Sequence, residues 1–361
     1  MSAYDRKAYK MDLSRAKASL AELMRKYTVV APVMKDGRLD YAEISDVDDV
    51  VLDERLPYKS PKEVVFPRVE DVMRFLENRA EEAQEIKPVL LVGAKPCDVS
   101  ALRVLDEIFI GDKGRFKDSF YQNRRNCLTV VGMGCQEAKP GCFCEERGID
   151  PAFSSDCDGF LDPVDGGLVY EPLTEKGEGL FPGTETEPVR RGPEAGTAGP
   201  KTETDPTGEG GKRAKKLEID ASEAEVFTTM PWEAYTEGCI GCGTCTYICP
   251  TCHCFNLRDA EEKGIVTRTR VWDSCMYPKF TLHAGGHNPR TKKFERFRQR
   301  VLHKYLYIPE NFGLTACTGC GRCIRSCPGG LNIRNTVSDI MKRLKESKEP
   351  AEAKKTEEAE I

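Results

Sequence analysis

Two runs of closely spaced cysteines constrain this chain of 361 residues more than any other feature of its sequence. Each run has the spacing C-x2-C-x2-C-x3-C and is followed directly by proline. The first run contains Cys239, Cys242, Cys245 and Cys249, and the second contains Cys317, Cys320, Cys323 and Cys327. Because this spacing and the closing Cys-Pro are typical of cysteines that bind [4Fe–4S] clusters, the runs predict two such clusters.

The fourth cysteine of each run points away from the turn that contains the first three. Glycines inside the turns, such as Gly241 and Gly319, let the backbone bend closely around a cluster. In proteins with two such runs, the fourth cysteine binds the other cluster. We therefore expect one cluster on Cys239, Cys242, Cys245 and Cys327, and the other on Cys317, Cys320, Cys323 and Cys249.

Zinc is the alternative metal, since four thiolates also hold structural zinc ions. Zinc-binding cysteines usually come as two pairs separated by a long loop, whereas both quartets here are uninterrupted. The spacing therefore favours iron–sulfur clusters, and a colourless preparation would indicate zinc instead.

Composition and charge limit the kinds of partner. The chain is 39% hydrophobic and 31% charged, and its formal net charge of −5 gives no sign of a nucleic-acid-binding surface. It has no apolar run of roughly 18 residues and no apolar signal segment at its N-terminus, so we expect a cytoplasmic protein that binds neither membrane nor nucleic acid. In a reducing cytosol the 17 cysteines are better explained as metal ligands than as disulfides, and an anaerobic setting suits them.

The first half of the chain has the pattern of an α/β domain. Apolar residues at helical spacing predict a helix over residues 12–26, and an Asp-Gly pair within residues 35–38 predicts a hairpin turn. Residues 88–109 have the pattern of a buried strand, a turn and a helix, and we expect Asp98 or Ser100 to cap that helix.

The predicted fold class is α+β. Further helices are predicted over residues 70–85, 256–264 and 332–346, and Lys62 is expected to be solvated. The predicted organisation is an N-terminal α/β domain over residues 1–227, a mostly α-helical dicluster ferredoxin-like domain over residues 228–344, and a charged tail over residues 345–361.

An insertion in the first domain has a different composition from its surroundings. Residues 173–216 are rich in Gly, Pro, Thr, Glu and Lys, so we predict that they are disordered. Strand-like sequences at residues 166–173 and 216–223 flank the insertion. We therefore interpret it as an enlarged hairpin loop, since a long loop adds little closure entropy.

Four cysteines of the first half are candidates for a third centre. Cys97 and Cys135 each follow a predicted buried strand, and the second of these strands is predicted over residues 127–135. Cys142 and Cys144 lie in the turn GCFC. Because parallel strands of an α/β sheet place ligands at their carboxyl ends, we predict a third [4Fe–4S] cluster on Cys97, Cys135, Cys142 and Cys144. The alternative is ordinary buried cysteine, which behaves as a small hydrophobic residue. Cys127 and Cys157 are not expected to be ligands.

The remaining cysteines and a basic segment lie close to the runs in sequence. Three further cysteines are predicted to pack near a cluster, and the alternative is that they tune its potential through sulfur contacts and hydrogen bonds: Cys252, Cys254 and Cys275. The basic residues from Arg290 to Lys304 flank an apolar helical stripe of Phe294, Phe297, Val301 and Leu302. We expect the stripe to pack between the runs while the cations offset the charge of clusters and thiolates, and the alternative role is docking of an acidic partner.

With these motifs, the chain resembles the iron–sulfur subunit family that includes the beta subunit of cytoplasmic sulfhydrogenases and the iron–sulfur electron-transfer subunit of anaerobic sulfite reductase. The resemblance covers most of the chain and is carried by KPCDVSAL, GC followed by CFC, CIGCGTCTYICPTCHCF, WDSC, AGGHNPR, RQRVLHKY and CTGCGRCIRSCP. It implies a subunit that carries electrons between a flavoprotein subunit binding FAD and NAD(P)H and a catalytic subunit of the hydrogenase, sulfite reductase or heterodisulfide reductase type. The eight cysteines of the two runs match the family position by position, whereas the insertion at residues 173–216 departs from it.

The predicted function is therefore electron transfer, with no catalytic residue of its own, because no nucleophile is arranged with a base. The alternative is a self-contained flavin- or nicotinamide-dependent oxidoreductase. That function would call for a glycine-rich phosphate loop, which the sequence lacks. The visible spectrum of the purified chain distinguishes the two.

Overall fold

Strands and helices alternate in the first half of the chain, and the second half consists of helices of 4 to 16 residues and one hairpin in the part that the structure describes. The computed structural model describes residues 7–53, 55–83, 86–114, 116–136, 138–189 and 217–348. Its strands are β1 (Ala8–Met11), β2 (Thr28–Lys35), β3 (Arg38–Glu43), β4 (Val69–Leu76), β5 (Arg79–Glu82), β6 (Val89–Ala94), β7 (Leu128–Met133), β8 (Gly159–Val164), β9 (Gly167–Pro172), β10 (Thr184–Thr186), β11 (Phe255–Glu262) and β12 (Ile265–Trp272). Its helices are α1 (Leu13–Leu23), α2 (Pro96–Phe109), α3 (Ser119–Asn126), α4 (Glu223–Thr229), α5 (Thr244–Tyr247), α6 (Lys293–Leu302), α7 (Ile308–Phe312), α8 (Arg322–Arg325) and α9 (Ile333–Lys348).

The larger sheet has the strand order β10-β1-β9-β8-β7-β6-β2-β3. Its central strands β2, β6, β7 and β8 pair in parallel, and the outer strands pair antiparallel. Successive residues of β6 face opposite sides, so Leu90 packs with Leu20 of α1 on one face and Leu91 packs with Leu102 of α2 on the other. Helices therefore cover both faces of the parallel strands, as expected for an α/β sheet.

Several sequence predictions for this region are confirmed. Helix α1 lies within residues 12–26, the strand–turn–helix unit is β6 and α2, and β7 is the second buried strand. The hairpin β2–β3 turns at Asp36 and Gly37, whose φ angles are 50° and 72°. Positive φ at both central residues is what a two-residue turn needs to match the twist of its strands.

A smaller antiparallel sheet replaces two of the predicted helices, and both helix predictions were wrong. Residues 70–85 contribute β4 and β5, residues 256–264 contribute most of β11, and the strand order is β11-β12-β4-β5. Glu70 and Val72 are 4% and 6% exposed, a spacing of two that fits a strand. The Glu, Ala and Arg residues of these segments favour a helix locally, but pairing between β4 and β12 overrides that preference.

Part of the segment that we expected to be disordered is ordered. Residues 173–189 are described; they include β10, which pairs with β1, and the buried side chains of Leu180 and Phe181. The flanking segment at residues 217–223 contributes buried Leu217 but no strand. The expectation of disorder was wrong for residues 173–189 because two apolar side chains reach the core, and residues 190–216 lie outside the described residues.

The cysteine runs lie in a core formed by the second half of the chain. Helix α6 contributes Phe297 and Val301, helix α9 contributes Val337 and Ile340, and Cys239 packs in the same cluster. Helix α9 confirms the helix predicted over residues 332–346. The mixed α and β content confirms the α+β class, but the expectation of a mostly helical second domain is not confirmed, because the hairpin β11–β12 pairs with β4 across the predicted boundary.

Candidate metal centres

The first run of cysteines folds as a tight turn followed by one helical turn. Gly243, at φ 75°, precedes the short helix α5. A cavity beside this turn is lined by the three leading cysteines of the first run and by two cysteines of the second: Cys239, Cys242, Cys245, Cys323 and Cys327. Cys327 therefore lies with the turn of the opposite run.

The second run repeats this local structure, with Gly321 at φ 67° before the short helix α8. Burial raises the pKa of Cys320 to about 11. The pKa of Cys323 is raised to about 12, chiefly by burial; Arg300 opposes this effect, and Cys249, Cys320 and Cys317 act in the same direction as burial. Cys249 therefore lies near the second run, although it also raises the pKa of Cys245 in its own run.

Four cysteines of the larger sheet come together at one edge. Parallel pairing sets Ala94 of β6 opposite Gly132 of β7, so Cys97 and Cys135 follow strands that end side by side. The four cysteines and one from the second run line a shared cavity: Cys97, Cys135, Cys142, Cys144 and Cys320. The pKa of Cys144 is raised to about 12, first by burial and then by the neighbouring Cys142.

The loop that carries Cys142 and Cys144 covers the turn of the second run. The Phe143 N–H donates to Gly319 O at 2.8 Å. Arg325 Nη1 donates to Pro140 O at 2.8 Å and to Cys142 Sγ at 3.4 Å. A Cβ on Gly319 would lie 2.6 Å from the Phe143 carbonyl carbon, so only glycine allows this close backbone contact.

Cations donate to the backbone carbonyls of the cysteines. The donors and acceptors are Lys293 Nζ to Cys239 O at 2.7 Å, Arg300 Nη2 to Cys245 O at 2.9 Å, Arg147 Nε to Cys317 O at 3.2 Å and Arg325 Nη2 to Cys320 O at 3.0 Å. Burial lowers the pKa of Arg300, but the thiolates of Cys245 and Cys323 outweigh burial and raise it above its usual value. Two cations of the basic segment from residue 290 to 304, Lys293 and Arg300, therefore lie against the first run.

The polar groups around these cavities fit an anionic group with several acceptor atoms. Within the described ranges, five buried polar side-chain atoms have no hydrogen-bond partner: Arg147 Nη1, Arg300 Nε, Tyr305 Oη, Thr318 Oγ1 and Ser326 Oγ. Thr318 and Ser326 belong to the second run, and the two arginines donate to cysteines of both runs. Because buried donors rarely stay unpaired, the sulfides of a bound cluster are suitable partners for them. In the described part of the chain, no three His, Cys, Asp or Glu side chains form a group that could hold a single metal ion.

A buried ion pair joins the larger sheet to the second run. Arg322 Nη1 and Nη2 lie 2.5 and 2.8 Å from Asp98 Oδ1 and Oδ2, and the side chains are 1% and 0% exposed. Arg322 Nε donates to Pro57 O, and the Tyr41 hydroxyl donates to Asp98. The prediction that Asp98 or Ser100 caps α2 was wrong, because the cap position is Lys95 and Asp98 binds Arg322 instead.

Two lysines near the cysteines are buried. Lys62, predicted to be solvated, is 3% exposed, donates to Cys252 O at 2.8 Å and lies 3.9 Å from the centre of the Trp272 ring. Lys95 is 0% exposed and donates to Asp53 O and to Gly134 O, next to Cys135. Burial lowers the pKa of Lys62 to about 8, although Cys252 and Cys249 oppose that effect. Sequence reasoning missed Lys95, Arg147 and Arg322, because no local pattern marks a cation that binds a distant carbonyl or carboxylate.

The remaining cysteines occupy two kinds of surroundings. The Cys252 thiol donates to Cys249, and this hydrogen bond lowers the pKa of Cys249. Hydrogen bonding from Cys275 lowers the pKa of Cys254 to about 7. These contacts agree with packing beside the runs. Cys157, in contrast, donates to Ser154 O and Gly159 O within the core of the larger sheet.

The spacing of the two cysteine runs is that of an iron–sulfur protein. Residues 238–331 match the family model described as "4Fe-4S dicluster domain". The chain is also similar to sulfhydrogenase 2 subunit beta of Pyrococcus furiosus, at 29% identity over 332 residues that cover 88% of this chain and 93% of that protein. These matches confirm the resemblance inferred from the motifs: the chain is similar to a sulfhydrogenase beta subunit over most of its length, and residues 238–331 resemble 4Fe-4S dicluster domains. No helix in the described ranges is long and apolar enough to span a membrane.

Proposed function

We propose that this chain carries electrons through three [4Fe–4S] clusters inside a larger oxidoreductase complex. Two clusters have crossed ligands, one on Cys239, Cys242, Cys245 and Cys327, and the other on Cys317, Cys320, Cys323 and Cys249. The observation that carries the crossed ligation is the cavity that Cys327 shares with the leading cysteines of the first run. Each cluster, when bound, accepts and releases one electron at a time.

The third cluster is held by Cys97, Cys135, Cys142 and Cys144. Its support is the second cavity, which these four cysteines line from two strand ends and one loop. Cys320 of the second run lines the same cavity, so the proposed third cluster lies beside the proposed second one. Electrons then have a continuous path from the third centre through the second to the first.

The residues of this chain hold the clusters, exclude water and balance charge. Buried thiols must lose their protons when they bind metal, and the cations that donate to cysteine carbonyls reduce the resulting repulsion. Arg147 and Arg300 each keep one buried N–H unpaired, which suits hydrogen bonding to a cluster sulfide. In the proposed role, the chain transfers electrons and does not itself bind a substrate.

The proposed partners are a flavoprotein subunit that binds FAD and NAD(P)H and a catalytic subunit of the hydrogenase, sulfite reductase or heterodisulfide reductase type. This proposal of partners is supported by the similarity to a protein that is named as the beta subunit of a sulfhydrogenase. In this arrangement the chain accepts electrons from one partner and passes them to the other.

Anaerobic purification of the full chain, followed by visible spectroscopy and flavin extraction, tests the function. We expect broad iron–sulfur absorbance that dithionite bleaches, and no extractable flavin. Stoichiometric flavin that survives removal of the iron would contradict the proposal and favour a self-contained oxidoreductase. A colourless chain containing zinc would contradict it as well.

A further inference from the structure

The two cysteine runs are an internal repeat whose turns have different surroundings. Ile240, Gly241 and Cys242 of the first run correspond to Thr318, Gly319 and Cys320 of the second. Both turns end at a left-handed glycine and continue as a four-residue helix. Any difference in what covers the two turns therefore comes from their surroundings and not from their own fold.

The turn of the second run is covered by another part of this chain. Thr318, Gly319 and Cys320 are buried. The covering loop is residues 140–144, whose Phe143 N–H donates to Gly319 O at 2.8 Å. The same loop carries Cys142 and Cys144, so the cover over this turn also bears cysteines of the proposed third cluster.

The corresponding turn of the first run is open. Ile240 is 69% exposed, and Cys242 is the exposed cysteine of its run. A Cβ on Gly241 would meet nothing within 4 Å, whereas a Cβ on Gly319 would lie 2.6 Å from the backbone of the covering loop. Within the described ranges, no backbone N–H donates to Gly241 O in the way that Phe143 donates to Gly319 O.

We propose that residues 240–242 form the docking surface for a second protein subunit, one that carries its own redox centre behind a backbone loop. The inference rests on the proposed function, since it takes the first run to hold a cluster. The partner's loop covers Gly241 as residues 140–144 cover Gly319, accepts Ile240 into an apolar contact and donates a backbone N–H to Gly241 O.

The chemistry of the surface explains why the partner is a redox protein. Because Ile240 and Cys242 are exposed, solvent reaches the proposed cluster of the first run in the isolated chain. An apolar contact from a partner would exclude that solvent. The covered turn at Gly319 lies beside the cysteines of the proposed third cluster. By analogy, a partner docked on the open turn at Gly241 would bring its own redox centre equally close to the first run. Electrons then leave or enter this chain at Cys242.

The substitution Ile240→Glu tests the proposal, because a charge buried without a partner opposes docking. The chain is tagged, produced in its own cells, and purified with its partners as Ile240→Glu, Ile240→Ala and the control Leu13→Glu. Leu13 is 46% exposed on α1 and lies outside both cysteine runs. Measurements are iron per chain, reduction of the clusters by reduced methyl viologen, and reduction through the complex by NADPH or hydrogen.

We expect Ile240→Glu to keep its iron and its reaction with the small dye, but to lose one redox-active subunit and slow reduction through the complex by about tenfold or more. Ile240→Ala should show a smaller loss in the same direction, and it preserves the test if the glutamate variant fails to fold. Leu13→Glu should match the wild type. Wild-type subunit content and rates in both Ile240 variants would overturn the docking surface alone, whereas a wild-type chain without iron–sulfur clusters would overturn the proposed function.

Discussion

Most of the cations closest to the cysteines are paired with backbone carbonyls. Lys293, Arg300 and Arg147 donate to carbonyl oxygens of Cys239, Cys245 and Cys317. A carbonyl satisfies a hydrogen bond without cancelling the positive charge, so the charge stays available to nearby thiolates. Arg322 is the contrasting case, because Asp98 neutralises it and the pair then joins two parts of the chain.

Replacing single cysteines tests the ligand assignment. Cys242→Ser removes one proposed ligand from the first cluster, so we expect a loss of about four irons per chain and most of the electron-transfer rate. Cys157→Ala is the control, since Cys157 lies in the core of the larger sheet, and it should keep the wild-type iron content. Equal iron content in both variants would contradict the assignment of Cys242.

The Asp98–Arg322 pair should be worth more than a surface ion pair. Arg322→Met leaves Asp98 as an uncompensated buried charge, so we expect the free energy of unfolding to fall by about 3–5 kcal/mol. Adding Asp98→Leu removes that charge and should recover part of the loss. Anaerobic denaturant titrations measure both variants, and a double variant no more stable than Arg322→Met would show that the unpaired charge is not the cause.

At the level of elements, the hairpin β11–β12 is held against the first half of the chain by a buried charge network. Arg270 pairs with Glu70 of β4 and with Asp118, each at 2.5 Å, and Arg124 donates to Glu70 at 2.8 Å. Glu70 and Arg270 are 4% and 2% exposed. The carboxylate of Glu70 thus pairs with two arginines, and the network fixes the hairpin between the cysteine runs to β4.

Removing the charge of Glu70 should loosen this hairpin. Glu70→Gln leaves Arg124 without a carboxylate and weakens the pairing of Arg270, so we expect a loss of about 3 kcal/mol and faster amide exchange in β11 and β12. The control is Asp259→Asn on the same hairpin, whose pair with Arg268 is 45% and 42% exposed, and it should cost much less stability than Glu70→Gln. Similar exchange rates in the two variants would contradict this account.

The hairpin β11–β12 and its pairing with β4 could not be predicted from local sequence patterns. Local patterns predicted α1, the β2–β3 turn and the β6–α2 unit, because apolar spacing and turn residues act within a few positions. Local patterns predict helices over residues 70–85 and 256–264, but the structure has strands there. Glu70 lies in a strand because β4 pairs with β12, whose Arg270 is 200 positions away in the sequence. The candidate site divides in the same way: the cysteines are marked by their spacing, whereas Lys95, Arg147 and Arg322 act through contacts that no local pattern reveals.

In the molecule as a whole, the three groups of cysteines are linked by two cavities, and these links cross the predicted domain boundary. The four cysteines at the edge of the larger sheet share a cavity with Cys320, and the second run shares a cavity with the first through Cys323 and Cys327. The loop at residues 140–144 and the Asp98–Arg322 pair keep the larger sheet and the second run together. These two contacts therefore join the larger sheet to the second run.

Removal of the iron should destabilise the chain. Without clusters, the buried N–H groups of Arg147 and Arg300 have no partner and the cations near the thiols lose the charge that balances them. We expect a lower midpoint of thermal unfolding after anaerobic chelation, with recovery when iron and sulfide are restored. An unchanged midpoint would mean that the cavities are stable when empty.

The iron content of the full chain, purified without oxygen, tests the central proposal most directly. Three [4Fe–4S] clusters predict about twelve irons and about twelve acid-labile sulfides per chain, and Cys97→Ser should lower both by about four. About eight irons per chain, with Cys97→Ser unchanged, would contradict the third cluster and break the proposed path between the sheet and the two cysteine runs.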